Sequence, residues 1–212
     1  WHAELQEVEM RRRAQVADSL VTARRIRQPI ENENDILNAF DGITYDKGAS
    51  VLRMFEAYVG PDVFQQAVRA YLKSKSFGNA TSADFIAAVS QASGKDLVPA
   101  FATFLDQPGL PQLAFDLKCG AGKPRVAIAQ QRFVGDTPPP TETRPWTLPV
   151  CIAYEARGGR GRACTLVDAP TAELELPASA CPRWIAPNAG GHGYYRADLT
   201  VRQAAALRDE AW

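Results

Sequence analysis

The apolar pattern of this chain changes period once, and that change decides what it can fold into. Up to residue 106 the apolar side chains recur three or four apart, the spacing of a buried helix face. After Pro111 they alternate, as in Leu113, Phe115, Leu117 and in Val126, Ile128, which is the spacing of a strand with one face inward. Most of the prolines and glycines and all four cysteines also lie in residues 107–200. The shift places a boundary near Gln107-Pro108-Gly109, in a chain of 212 residues that is long enough for one large or two modest domains. The expected fold class is α+β: a helical lobe over 1–108, a small antiparallel β-sandwich over 109–200, and the start of a further helical segment over 201–212.

Within the lobe the pattern predicts a helix over 3–25, with Leu5, Val8, Val16, Leu20 and Ala23 inward and Pro29 as its stop. A short helical piece over 35–40 and a helix over 43–59, closed by Gly60, come next. Pro61 opens another, with Phe64, Ala67, Val68, Tyr71 and Leu72 on its apolar face. Thr81 and Asp84 have the spacing of a capping box, Gly94 stops the helix they begin, and a last helix covers 96–105. Strands are expected near 112–119, 124–133, 146–155, 162–168, 172–176, 182–186 and 193–199. Residues 137–143, TPPPTET, lack ladder donors and should form an exposed loop.

Charge and motif content exclude several function classes. Lys plus Arg equals Asp plus Glu at 24 each, so no net field attracts nucleic acid or an acidic membrane. The arginine cluster at 11–13 fits i,i+4 pairing with Glu7 and Glu9 on a solvated helix face, without the interleaved aromatics of a nucleic-acid surface. No apolar run is long enough to span a bilayer. The GGRGR run at 158–162 lacks the lysine and the strand-to-helix setting of a phosphate loop. Cys119, Cys151, Cys164 and Cys181 contain no C-x-x-C pair and, if oxidised, allow three connectivities. A hairpin turning at Gly158 and Gly159 sets Cys151 opposite Cys164, which leaves Cys119 for Cys181; free buried thiols are the alternative. Disulfides favour a periplasmic or secreted protein over a cytoplasmic one.

The stretch with chemical promise is ENENDILNAFDGITYDKGASVLRM, residues 31–54. Tyr45, Gly48, Leu52, Phe55 and Val59 fall three or four apart, which sets Tyr45 at the mouth of a buried stripe. A glycine at position 48 gives up roughly 1 kcal/mol of helix propensity relative to alanine, so something is expected to approach the backbone there. Asp46 and Lys47 read as members of solvated ion pairs, and His192, in AGGHGYY, as a turn residue rather than a ligand.

The run ITYDKGASVLRM resembles the aminopeptidase N family of zinc metallopeptidases, where a tyrosine in such a context begins a helix of a thermolysin-like domain and points at the scissile carbonyl. DSLVTARRIRQPIENENDI upstream is similar to the family's approach to that tyrosine, and FQQAVRAYLKSKSFGNATSADFIAAVSQASGKDL to its following helices. VAIAQQRF, RPWTLPV and WIAPNAGGHGYYRADLT look like its β-sandwich. The resemblance implies that Tyr45 is the catalytic residue of this chain, its hydroxyl donating to the oxyanion, a role suited to a phenol because a pKa of about 10 keeps the proton in place.

The family's zinc is held by H-E-x-x-H and a glutamate on the next helix. His2 and His192 have no histidine partner at that spacing, and the 44 residues before Tyr45 are too few to hold the family's ligands. The chain therefore reads as an internal piece of a peptidase that needs zinc and a peptide substrate when intact. It would contribute no metal ligand or cofactor-binding residue, be inactive alone, and rely on N-terminal, zinc-site and C-terminal helical segments outside it. The competing expectations are a non-catalytic protein-interaction module and a relative that has lost its zinc site.

Overall fold

The computed structural model describes residues 3–120, 122–135 and 144–210; His2 and the proline-rich run 137–143 lie outside them. The helical part runs α1 (Ala3–Asp18), α2 (Glu33–Asn38), a single π-turn (Ile43–Lys47), α3 (Gly48–Val59), α4 (Pro61–Ser74), α5 (Ser82–Ser93) and α6 (Val98–Leu105). Seven strands follow: β1 (Leu110–Lys118), β2 (Arg125–Phe133), β3 (Leu148–Ala156), β4 (Gly159–Val167), β5 (Thr171–Glu175), β6 (Trp184–Pro187) and β7 (Arg196–Leu199). A last helix, α7, covers Val201–Glu210. The fold is α+β, a helical lobe followed by two small sheets.

Local chemistry accounts for most of the helix ends. Pro61 occupies the first turn of α4, where its missing donor costs no hydrogen bond. At the start of α5 the Asp84 N–H donates to Thr81 Oγ1 at 3.2 Å while the Thr81 N–H donates to Asp84 Oδ2 at 2.8 Å, so both free donors are satisfied. Gly94 ends α5 in the left-handed region at φ 65°, a conformation that favours glycine. Helices α4 and α5 pack as a hairpin in which the Phe64 and Tyr71 rings meet Phe85 edge-on, at centroid distances of 6.0 and 5.5 Å.

The first helix departs from expectation. It stops at Asp18 rather than near residue 25, and Leu5, Val8, Val16 and Leu20, expected inward, are exposed. Ala14 and Asp18 are buried instead. Apolar periodicity marks a face without saying which neighbour it will meet, and here α1 lies on the π-turn through its small and acidic positions. Beyond Asp18 the backbone takes partners outside any helix: the Gly135 N–H donates to Ser19 O at 3.1 Å and the Arg27 N–H to Leu105 O at 2.8 Å. Leu72, expected on the inner face of α4, is also exposed, while Ala67 of the same helix is fully buried.

The strands form a four-stranded sheet in the order β5-β2-β1-β7 and a three-stranded sheet in the order β4-β3-β6. Alternation puts Leu113, Phe115, Val126 and Ile128 of the first against Leu148, Val150 and Ile152 of the second, with Trp146 fully covered beside them. One pairing differs from an all-antiparallel sandwich: β7 runs parallel to β1, with Gln112 opposite Arg196. Alternation fixes which face of a strand is buried but not its direction. The chain leaves β6 at Pro187, crosses between the sheets through residues 188–195, and so reaches the edge of the first sheet beside β1.

Cys151 and Cys164 are cross-strand partners in the β3–β4 hairpin and form a disulfide, and Cys119 is bonded to Cys181. The second bridge ties the end of β1 to the segment before β6, and thus one sheet to the other. A single core runs from helices to sandwich. The Phe55 ring stacks on Phe101 at 3.9 Å and meets Phe104 edge-on at 6.4 Å, and Phe104 in turn meets Tyr194 at 6.4 Å. Tyr194, fully buried, is the aromatic contact through which the crossing loop grips the lobe.

Candidate active site

The segment Ile43–Lys47 is wound as a π-turn, with the Gly48 N–H reaching back five residues to Ile43 O. Such a turn holds one residue more than an α-turn and rotates everything before it relative to the helix that follows. The buried face is Lys47 of the turn with Ser50, Val51, Met54 and Phe55 of α3, not the stripe through Tyr45 and Leu52, both of which are exposed. Tyr45 lies off that face. Its side chain is 58% exposed, with the Phe40 ring 6.1 Å away at a tilt of 35° as its aromatic neighbour.

Surface ion pairs hold the turn on both sides of Tyr45. Asp41 pairs with Arg24 and accepts the Thr44 N–H at 2.9 Å; burial alone would raise its carboxyl, but the Thr44 N–H and Arg24 together hold it below the usual aspartate range. Asp46 pairs with Arg13 of α1 at 3.3 Å, its arginine exposed and its own carboxylate largely covered. The Tyr45 N–H donates to Asp41 O at 3.0 Å, so the backbone carrying the phenol is itself hydrogen-bonded.

Lys47 corrects the sequence expectation. Its ammonium is not solvated: Nζ lies 2.8 Å from Asp18 Oδ2 with both side chains at 0% exposure, and it also reaches Gly109 O at 3.4 Å. Asp18 is used on both oxygens, Oδ1 accepting the Gly109 N–H at 2.9 Å and Oδ2 the Tyr194 hydroxyl at 3.2 Å. Burial pushes the Lys47 ammonium below the usual lysine range, against the opposing pull of Asp18. Burial and then the Asp18 charge push the Tyr194 phenol far above its ordinary value, so it keeps its proton and donates it. The signal was present in the sequence, since Lys47 precedes Ser50 by three residues, Val51 by four and Met54 by seven and so shares their face.

Gly48 shows no close approach by any described residue. It has helical angles of φ −55° and ψ −51°, and a Cβ built on it would meet nothing within 4 Å. Gly48→Ala should therefore stabilise this chain by about 0.5–1 kcal/mol through the loss of unfolded-state freedom, read as a higher urea midpoint at unchanged slope.

The described residues do not fit a zinc ion. Among the described residues no group of three or more His, Cys, Asp or Glu side chains could hold a metal. His192 sits in the turn between β6 and β7, where burial and then Arg53 hold its imidazolium below the usual range, with Glu7 opposing and Arg11 and Arg162 adding to the effect. No helix among the described residues is long and apolar enough to cross a membrane.

Residues 1–104 match the family described as Peptidase family M1 domain. Over 190 residues, 90% of this chain and 20% of the relative, it is 28% identical to the puromycin-sensitive aminopeptidase of Caenorhabditis elegans. Over 203 residues, 91% of this chain and 22% of the relative, it is 29% identical to aminopeptidase M1 of Arabidopsis thaliana. Identity reaches 39% over 121 residues, 57% of this chain and 15% of the relative, with the leucyl aminopeptidase of Saccharolobus solfataricus. The chain thus spans about a fifth of the length of the first two of these relatives. Taken together, the match over the lobe and the similarity running on through the sandwich mean that the chain belongs to the M1 peptidase family, the aminopeptidase N family of zinc metallopeptidases.

Proposed function

We propose that this chain is part of a zinc-dependent aminopeptidase that removes N-terminal residues from peptides, and that its own contribution to the reaction is the hydroxyl of Tyr45. The observation that carries this is the exposed phenol on the π-turn of an M1 peptidase lobe, turned out of the core while its neighbour Lys47 is sealed within it. As the scissile carbonyl becomes tetrahedral, its oxygen gains negative charge, and a fixed hydroxyl donor aimed at that oxygen stabilises the transition state more than the ground state. The hydroxyl donates a hydrogen bond and keeps its proton.

M1 peptidases are in general zinc-dependent, and the described residues hold no metal site. Zinc, the general base and the groups that bind the substrate's free amine are accordingly assigned to parts of the intact protein other than these residues. The 212-residue chain alone should be inactive and should carry no stoichiometric zinc by atomic absorption after purification in zinc-containing buffer. One tightly held equivalent would contradict the assignment. The two disulfides support an exported, periplasmic or secreted, protein. Tyr45→Phe in the intact, zinc-loaded protein is the test of the catalytic role: turnover should collapse with KM little changed.

A further inference from the structure

We propose that the buried Asp18–Lys47 pair is a positioning device for Tyr45, setting where the phenol points by tying the π-turn to the seat of the β-sandwich. The proposal rests on the catalytic role assigned to Tyr45 above. Asp18 collects one partner from each of three distant places: Lys47 of the π-turn, the Gly109 N–H where the lobe passes into β1, and the Tyr194 hydroxyl of the loop that crosses between the sheets. Lys47 closes the knot by donating back to Gly109 O at 3.4 Å. Its ammonium also lies 5.9 Å from the centroid of the Tyr194 ring, facing it. The only residue between Lys47 and Tyr45 is Asp46, itself tied to α1 through Arg13.

Energetics argue that the knot serves geometry more than stability. An ion pair removed from water recovers little of its desolvation cost, and well-packed apolar residues in its place are often as stable or more so. What apolar packing does not provide is direction, because its energy follows contact area and tolerates sliding. A carboxylate whose two oxygens accept three donors fixes the position of each, and a displacement of about 1 Å in a catalytic group can cost on the order of a hundredfold in rate. Gly109 completes the fit. It stands at φ 105°, and a Cβ there would fall 2.5 Å from Arg132 Nε, so this junction is built around a glycine backbone.

The experiment uses the intact, zinc-loaded protein and the paired replacement Asp18→Asn with Lys47→Met, which leaves neither member of the pair as a lone buried charge and keeps an amide oxygen to accept the Gly109 N–H and an amide NH2 to donate to the Tyr194 oxygen. With melting temperature and zinc content near the parent's, kcat on an aminoacyl anilide should fall about tenfold with KM within about twofold. Added to Tyr45→Phe, the same pair should cost less than about twofold more, because both changes remove one contribution. A paired variant with unchanged kcat, or one whose loss multiplies with that of Tyr45→Phe, overturns the proposal. Tyr45→Phe with unimpaired turnover overturns the catalytic role itself, a separate outcome. Should the paired variant not fold, Tyr194→Phe removes a single hydroxyl from Asp18: a fall in kcat of about threefold, absent in the Tyr45→Phe background, supports the device, and an unchanged kcat overturns it.

Discussion

Lys47→Met is expected to destabilise the protein by about 3–5 kcal/mol, more than the loss of any solvated ion pair on the lobe surface. The reason is not the removed attraction but the residue left behind. Asp18 is fully buried, and without Lys47 its remaining hydrogen bonds would come from the Gly109 N–H and the Tyr194 hydroxyl. Two neutral donors do not offset the cost of holding a carboxylate out of water. The chain must then protonate Asp18, admit water or unfold. Adding Asp18→Asn should recover most of the loss, since a neutral amide can accept the Gly109 N–H on its oxygen and donate from its NH2 to the Tyr194 hydroxyl oxygen without a counter-charge. Urea midpoints of the two variants measure both effects. If Lys47→Met alone shifts the midpoint by no more than an exposed lysine would, the pair is not sealed as described.

That pair also marks the limit of what the residues disclose unaided. Helix ends governed by local chemistry were legible: Pro61, the Thr81–Asp84 box and Gly94 each act within one turn of themselves, and each is found in its expected place. Strand positions were legible because alternation repeats over several residues, and the hairpin register that sets Cys151 opposite Cys164 follows from the glycines between them. Direction was not, and β7 joined the first sheet parallel to β1. The end of α1 was missed because a long-range partner set decides it: Gly109 is 91 residues from Asp18 and Tyr194 is 176. The face of α3 was misjudged because the stripe was run through Tyr45 and Leu52, both of which are exposed, when Ser50, Val51, Met54 and Phe55, with Lys47 at the same helical spacing, form the buried one.

That exposure gives the phenol its proposed use. A tyrosine on the buried stripe would have been a packing residue, its hydroxyl committed to an internal acceptor as the Tyr194 hydroxyl is to Asp18. Tyr45 instead stands exposed beside Phe40, its backbone held by Asp41 and its flanks by Arg13 and Arg24 through Asp46 and Asp41. A donor whose frame is already fixed needs no reorganisation when charge develops on the substrate, which is why single oxyanion donors are worth about 3–4 kcal/mol, or a hundredfold to a thousandfold in turnover. Removing only the hydroxyl keeps the ring, its contact with Phe40 and the π-turn intact. Stability should therefore hold while the chemical step slows.

The direct measurement is kcat for an aminoacyl anilide with the intact Tyr45→Phe protein, zinc content verified equal to the parent's. The account predicts a fall of about a hundredfold or more with KM within about threefold, since the hydrogen bond forms fully only in the transition state. Turnover within about twofold of the parent's, at equal zinc and equal stability, would contradict it and return Tyr45 to the role of an exposed aromatic at a helix start.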